Sequence, residues 1–252
     1  MTDTFKHESL TTSHLYEQVA DLMEREIIAH HMEGEELPGE QALASRFQVS
    51  RASIREGLKL LRERGLVGTR RGSVSFVTKP EAANVSGMLS RIILMDGIDY
   101  NDIYDVRILM EVETARLAAL RVTADDLSAM RGQLTRLKDR SIPTHLRRDT
   151  DFAFHLRIAQ AAGNRLLVLL VETMSNVFKE MINAGIFVLG GIDDAIVRHE
   201  KIYRALEKHS PEEAVTAMLE HLEQSRKHVA AYTQRLEAEN NQAISSANER
   251  SE

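Results

Sequence analysis

The chain of 252 residues contains no cysteine and no tryptophan, and aromatic residues make up only 5% of it. The missing cysteine excludes disulfide scaffolds, thiolate metal sites and cysteine nucleophiles. So few aromatic side chains leave little material for stacking on exposed bases. No apolar run approaches the roughly 20 residues of a membrane span, and the polar, acidic N-terminus is unlike a signal peptide. We therefore expect a soluble, cytoplasmic protein with no membrane partner.

The charge of the chain is segregated along its length, although the formal net charge is only −6. Residues 1–45 contain two basic and ten acidic residues, whereas residues 46–79 contain nine basic and two acidic ones. Such a basic block is typical of a surface that contacts phosphates, and a solvated helix face is the alternative interpretation. The length and the content of apolar (43%) and charged (28%) residues fit a globular chain of two domains.

The N-terminal part shows the pattern of a winged helix-turn-helix. Hydrophobic periodicity and turn residues predict helices at 15–27, 40–47 and 51–64 and strands at 66–69 and 74–77. Ser50 can cap the third helix and Gly65 can end it. We predict that this domain spans residues 13–78 and that residues 1–12 are disordered.

The start of the third helix and the tip of the wing offer side chains that suit DNA. A recognition helix presents short or forked polar residues from its first turn to base edges. Here these residues are Ser50, Arg51, Ser53 and Arg55. The two arginines lie four residues apart on one helix face, and a guanidinium fork suits guanine or a phosphate. In the wing tip, Arg71 stands beside Gly72, which lets the backbone approach DNA closely.

These segments resemble the winged-helix signature of the GntR superfamily of bacterial transcription regulators. The resemblance rests on LPGEQALA at 37–44, VSRASIREGL at 49–58 and GLV at 65–67. It implies that double-stranded operator DNA is contacted by Ser50, Arg51, Ser53, Arg55, Arg71 and Gly72. Gln41 stands where the family usually has an arginine that contacts DNA. Glutamine can still hydrogen-bond a phosphate or an adenine, but without the positive charge.

The remainder of the chain has helical periodicity and no competing strand pattern. Residues 79–99 contain Pro80, Gly87 and Gly97 around a short helical run and are predicted to be a linker helix. Residues 100–236 are predicted to form an antiparallel all-α bundle of six or seven helices. Residues 237–252, rich in Glu, Asn and Ser without an apolar face, are expected to be disordered. The predicted fold class is thus mainly α.

Four residues of the bundle have the spacing of a metal site. Asp151 and His155 are four residues apart on one helix face, and His199 and His221 each lie eleven residues from Ser210. In a hairpin folded at Ser210, the two imidazoles would face each other at the same height. A carboxylate and three imidazoles can hold Zn²⁺, Mn²⁺, Ni²⁺ or Fe²⁺ with positions open for a further ligand. Taken singly, each histidine is more often a packing or surface residue.

The same region resembles the C-terminal ligand-binding domain, called FCD, of the FadR-like branch of this superfamily. The resemblance rests on DxxFH at 151–155, AGN at 162–164, HExIxxAL at 199–206 and AxxAMxxHL at 214–222. It implies that Asp151, His155, His199 and His221 hold a divalent metal, with Zn²⁺ as the first expectation. RxxxE from Arg107 fits the first helix of that domain, and Arg107 would neutralise a ligand carboxylate. Asn176 and Glu172 are expected either to line the effector pocket or to face solvent.

Together the two halves predict a ligand-controlled regulator. We expect a homodimer that binds a palindromic operator and senses a small organic acid at the metal. The family resemblance implies that it acts as a repressor. A metal-dependent enzyme is a competing hypothesis, but no nucleophile or general base stands in a motif, so no enzyme is expected. Two more competing hypotheses are a regulator whose metal is purely structural and a metal-free regulator that binds acyl-CoA.

Overall fold

The structure is a computed structural model that describes residues 15–30, 32–70, 74–184 and 192–249, with side chains up to residue 235 except that of Ile192. The described residues form ten helices and one two-stranded sheet. They divide into two compact units between Asn84 and Val85. No helix in these ranges is both long and apolar enough to cross a membrane.

The N-terminal unit is the winged helix-turn-helix that the sequence predicts. Its elements are α1 (Leu15–His30), α2 (Glu40–Phe47), α3 (Arg51–Glu63), β1 (Val67–Arg70) and β2 (Val74–Val77). Its core contains the predicted apolar stripe of α3, formed by Ile54, Leu58 and Leu61. Burying each such side chain contributes about 1.5–3 kcal/mol. This packing fixes α3 on α1 and leaves its polar face exposed.

Two close backbone approaches shape this unit. A Cβ added at Gly57 of α3 would lie 3.1 Å from the carbonyl oxygen of Tyr16 in α1, so glycine allows the two helices to cross tightly. The strands pair antiparallel, with Val67 opposite Val77, and Glu36 forms a bridge with Phe76 on the other side of β2. The wing is therefore attached to the segment that precedes α2.

The C-terminal unit is the predicted antiparallel helical bundle. Its helices are α4 (Ala82–Asp96, which belongs to this unit from Val85 onward), α5 (Tyr100–Arg121), α6 (Ala124–Lys138), α7 (Thr144–Ala161), α8 (Arg165–Asn183), α9 (Ile192–Glu207) and α10 (Pro211–Glu249). The segment predicted as a linker helix forms α4, and its Ile93 belongs to the same buried cluster as Tyr104 and Phe178. The count of seven includes α4, and without it the bundle has six.

Side-chain caps determine where several bundle helices begin. The Asp99 carboxylate accepts from the backbone N–H groups of Asn101 and Asp102 at the start of α5, at 2.7 and 3.1 Å. Thr123 and Asp126 form a reciprocal capping box at the start of α6. Asn164 caps α8. These caps satisfy N–H groups that a helix leaves without partners in its first turn.

Several predicted element boundaries differ from those of the structure. Helix α10 continues to Glu249, so the expectation of disorder from residue 237 fails for the described part of the tail. The physical reason is that extending an existing helix needs no new nucleus, and the tail contains good helix formers such as Glu, Ala and Gln. The first strand begins at Val67 and ends at Arg70, one residue later than predicted at each end. Residues 1–12 lie outside the described residues.

Candidate functional site

Three histidines from three helices meet inside the bundle. His155 of α7, His199 of α9 and His221 of α10 are all buried, and one ring nitrogen of each lies within 4.8 Å of the others. Nε2 of His155 is 3.2 Å from Nε2 of His199 and 3.2 Å from Nε2 of His221. The ring centroids of His199 and His221 are 4.4 Å apart, on facing helices of the α9–α10 hairpin. The eleven-residue spacing about Ser210 predicts this arrangement.

Asp151 joins this cluster from one turn earlier on α7. Its Oδ1 atom lies 3.5 Å from Nε2 of His199, and its side chain keeps slight contact with solvent. Burial raises the pKa of this carboxyl group, while the nearby His155 and Arg107 act in the opposite direction. The structure thus brings together all four residues that the sequence selects for the metal.

The electrostatic environment keeps the imidazoles of His199 and His221 neutral. Burial, followed by the proximity of the neighbouring basic groups, holds the pKa of His199 and of His221 well below its ordinary value of 6.5. The Nδ1 atoms of both rings are buried and have no hydrogen-bond partner in the described part of the chain. Neutral imidazole is the form that binds a metal ion.

Glu111 of α5 is a member of the site that sequence reasoning did not select. Its Oε2 atom lies 2.5 Å from Nδ1 of His155, a close contact that is not aligned as an ordinary hydrogen bond. Its Oε1 atom accepts from Nε of Arg107 at 2.7 Å. Burial alone would raise the pKa of Glu111, but Arg107 and His155 outweigh it and lower the pKa to about 2. The four-residue spacing of Arg107 and Glu111 was the available signal, although it equally fits a surface ion pair.

The residues expected to receive the effector occupy different environments. Arg107 is buried, with its guanidinium 4.5 Å from the ring centroid of Phe178 and 5.4 Å from that of Tyr104. Asn176 and Glu172 are half-buried on α8, and neither has a hydrogen bond to the three histidines among the described residues. Arg107 therefore reaches the cluster through Glu111. In the part of the chain that the structure describes, no comparable contact connects the two α8 residues to the cluster.

The donor set suits a divalent cation. Three imidazole nitrogens and a carboxylate are common ligands of Zn²⁺, Mn²⁺, Ni²⁺ and Fe²⁺. A neutral imidazole carries only one N–H, so three nitrogens that converge at about 3 Å cannot all donate to one another. A cation at the centre would satisfy the nitrogens that have no proton to share. The residues present therefore fit a metal ion.

On α3, the residues expected to contact DNA lie at the start of the helix. Ser50 caps α3, because its Oγ accepts from the backbone N–H of Ser53 at 3.0 Å and lies 2.9 Å from the Ser53 Oγ. Arg51 and Arg55 are exposed, and both extend toward Glu40 of α2, at 3.7 and 3.2 Å. One carboxylate thus holds both arginines on the same side of the helix.

The remaining DNA-contact candidates are described only in part. Gln41 is exposed in the first turn of α2, and its backbone carbonyl accepts from the Ser45 hydroxyl at 3.1 Å. Arg71 and Gly72, at the predicted wing tip, lie outside the described residues. Sequence reasoning missed Glu40, although its position next to Gln41 in the resembling segment could have drawn attention to it.

Comparison with known families divides the chain as the fold does. Residues 15–77 match the bacterial regulatory proteins of the gntR family, and residues 102–224 match the FCD domain. The chain is also similar to a solved structure, Streptococcus agalactiae GntR, with a TM-score of 0.64 and 24% identity over 84% of this chain and 99% of that one. That likeness supports the fold.

Characterised relatives are similar over most of their length. The HTH-type transcriptional regulator LutR of Bacillus subtilis is 34% identical over 75% of this chain and 89% of its own length. The Glc operon transcriptional activator of Escherichia coli is 30% identical, over 84% and 88%. The Uxu operon transcriptional regulator of Escherichia coli is 31% identical, over 75% and 76%. The protein therefore belongs to the GntR family of DNA-binding transcription regulators, with an FCD domain as its C-terminal part, and not to a family of enzymes.

Proposed function

We propose that this regulator holds a divalent metal ion through Asp151, His155, His199 and His221 and changes its affinity for operator DNA when a small acid binds there. The observation that carries the proposal is the convergence of three buried imidazoles beside a carboxylate. Zn²⁺ is the first choice for such a nitrogen-rich set, and Mn²⁺, Ni²⁺ and Fe²⁺ are the alternatives. When bound, the metal supplies a Lewis-acidic centre for a ligand oxygen.

The proposed effector is the carboxylate of a hydroxy acid, a sugar acid or a short dicarboxylate. Glu111 engages the Nε of Arg107, and a guanidinium has further N–H donors that can bind a carboxylate. Burial of Arg107 strengthens such a pair, because a low-dielectric environment screens charges weakly. Asn176 is proposed to line the same pocket from α8.

At the DNA, a homodimer would place two copies of α3 in successive major grooves of a palindromic operator. Ser50, Arg51, Ser53 and Arg55 are the proposed contacts from α3, together with Gln41, Arg71 and Gly72. We propose a cytoplasmic repressor that the acid releases from its operator. One relative is named an activator, so the direction of regulation needs its own measurement.

The test uses the full chain and an operator selected from a random DNA library. Operator affinity is measured by fluorescence anisotropy on chelator-treated protein, with Zn²⁺ restored, and with lactate, gluconate or succinate added. Coupling free energies of about 1–3 kcal/mol predict a five- to 150-fold change with the correct acid. In His199→Ala we expect operator binding without the acid response. If no acid of the three classes changes the affinity of the Zn²⁺-loaded protein, the sensing proposal is wrong.

The complete burial of His199 also favours a second candidate, a purely structural metal. In that case removal of Zn²⁺ would lower the thermal stability of the bundle, and no acid would alter operator binding. Water-proton relaxation with Mn²⁺ in the site distinguishes the two, because a sensing metal keeps an exchangeable ligand and a closed structural site does not.

A further inference from the structure

Building on the proposed metal site, we propose that Glu111 is its positioning residue: the carboxylate holds the Nδ1 proton of His155 and so leaves Nε2 of that ring free to face His199 and His221. Glu111 would touch neither metal nor effector. Its effect would pass entirely through the orientation and tautomer of one imidazole.

The distance between Glu111 and His155 carries this assignment. Oε2 of Glu111 and Nδ1 of His155 are 2.5 Å apart, and both side chains are almost fully buried. An unprotonated Nδ1 carries partial negative charge and would repel the carboxylate at this separation, whereas a protonated Nδ1 attracts it, although the N–H is not aligned on Oε2. The short contact therefore favours a proton on Nδ1. Since a neutral imidazole has a single N–H, the proton on Nδ1 leaves Nε2 unprotonated.

Arg107 keeps the carboxylate in its place. The Arg107 Nε donates to Oε1 of Glu111 at 2.7 Å, with both side chains about 5% exposed or less. A buried carboxylate needs such a counter-charge, because an unpaired buried charge strongly destabilises the folded state. The guanidinium is itself packed on Phe178 of α8. The resulting chain of contacts runs from α8 through α5 to α7.

The three histidines are not equivalent in this respect. Nδ1 of His199 and Nδ1 of His221 are buried, and no carboxylate among the described residues forms an ion pair with either atom. The ring of His199 instead packs on Phe154, with centroids 4.8 Å apart. Packing thus orients the His199 ring, whereas a carboxylate selects the tautomer of His155. The tautomer of the His155 ring is therefore fixed before a metal ion binds.

Glu111→Gln and Glu111→Ala test the proposal, and Glu113→Gln is the matched control. Glu113 lies on the same helix, is exposed and pairs with Arg116. Nitrogen-15 NMR on the metal-free full chain reports the tautomer of His155, and competition with a chelator reports the affinity for Zn²⁺. We expect an Nδ1-protonated His155 in the wild type and in Glu113→Gln, and loss of that preference in Glu111→Ala.

Loss of an outer-sphere partner typically weakens metal binding 10- to 100-fold, and we expect this loss in Glu111→Ala. Glu111→Gln retains an acceptor oxygen without the charge, so its affinity should be intermediate. Circular dichroism checks folding, and the near-isosteric Glu111→Gln gives the answer if the alanine variant does not fold. An Nε2-protonated His155 in the wild type, or Zn²⁺ affinities of both Glu111 variants within twofold of Glu113→Gln, overturns the proposal.

The same experiment separates this inference from the proposed function. A wild-type chain that binds no Zn²⁺ overturns the metal site. If Glu111→Ala still changes the tautomer of His155 in that chain, the positioning role is supported on its own.

Discussion

Replacing Arg147 by alanine should destabilise the bundle because this arginine joins three helices. Arg147 lies in the first turn of α7, where its Nε donates to the Leu137 carbonyl near the end of α6 at 2.7 Å. Its Nη2 donates to Asp193 in the first turn of α9 at 2.6 Å. The Leu137 carbonyl is one of the groups that a helix leaves unpaired at its C-terminal end. The substitution therefore removes a cap and an attachment of the helix that carries His199.

The expected magnitude follows from the exposure of each partner. The Arg147 side chain is 10% exposed, but Asp193 is 54% exposed, so the ion pair is largely screened and adds little. The charged hydrogen bond to the Leu137 carbonyl dominates, and such bonds contribute about 1.5–3 kcal/mol. For a domain of this size, each kcal/mol shifts the thermal midpoint by about 2–4 °C. We therefore expect a decrease of roughly 3–12 °C.

Arg140→Ala provides the matched control. Arg140 also donates to Asp193, at 3.0 Å, but its side chain is 79% exposed. Thermal unfolding of the full chain is followed by circular dichroism at 222 nm for both variants. The Arg140 variant should melt within about 2 °C of the wild type, because so exposed an ion pair contributes no more than about 0.5 kcal/mol. Equal decreases in the two variants would refute the reasoning, because burial of Arg147 would then contribute nothing.

Three further predictions concern the metal, the DNA and a helix cap. Zn²⁺ at a thousandfold excess over its dissociation constant should stabilise the chain by about 4 kcal/mol in thermal melts; a chelator should reverse this, and His199→Ala should show no such gain. Glu40→Gln should lower the ratio of operator to non-specific affinity by roughly threefold or more, because two arginines lose their common partner; Glu63→Gln should leave that ratio unchanged in the same anisotropy assay. Thr123→Ala removes the capping box of α6 and should cost about 1 kcal/mol in urea unfolding; an unchanged midpoint would contradict the cap's contribution.

Features with a strict local period were predictable from the sequence. The apolar stripe of α3 needs only the 3.6-residue repeat, and its Ser50 cap needs only a hydroxyl at the helix start. To predict the contact between His199 and His221, one further assumption was needed: a helical hairpin whose bend lies midway between them. Because the bend is marked by Ser210 and a following proline, the register of the two helices could be read without tertiary information.

Features that depend on packing between distant helices were not predictable in this way. Glu111 and His155 are 44 residues apart and on different helices, so nothing in the local pattern connects them. The local rule instead indicates a pairing of Glu111 with Arg107, which exists but is buried rather than exposed. The prediction of disorder from residue 237, at the end of α10, was wrong for the opposite reason. Composition argued for disorder there, whereas a helix that has already begun can continue without an apolar face.

Because the three histidines of the cluster lie on three different helices, a bound metal would affect the unfolding of the chain. In a protein without cysteine, no disulfide can cross-link remote segments. A metal ion bound by residues 155, 199 and 221 would cross-link α7, α9 and α10 and close loops of 44 and 22 residues between its ligands. Such a reversible cross-link restricts the conformational freedom of the unfolded ensemble. The concentration of available metal in the cell would then determine how long the folded regulator resists proteolysis. This effect would be separate from any effect on its target promoter.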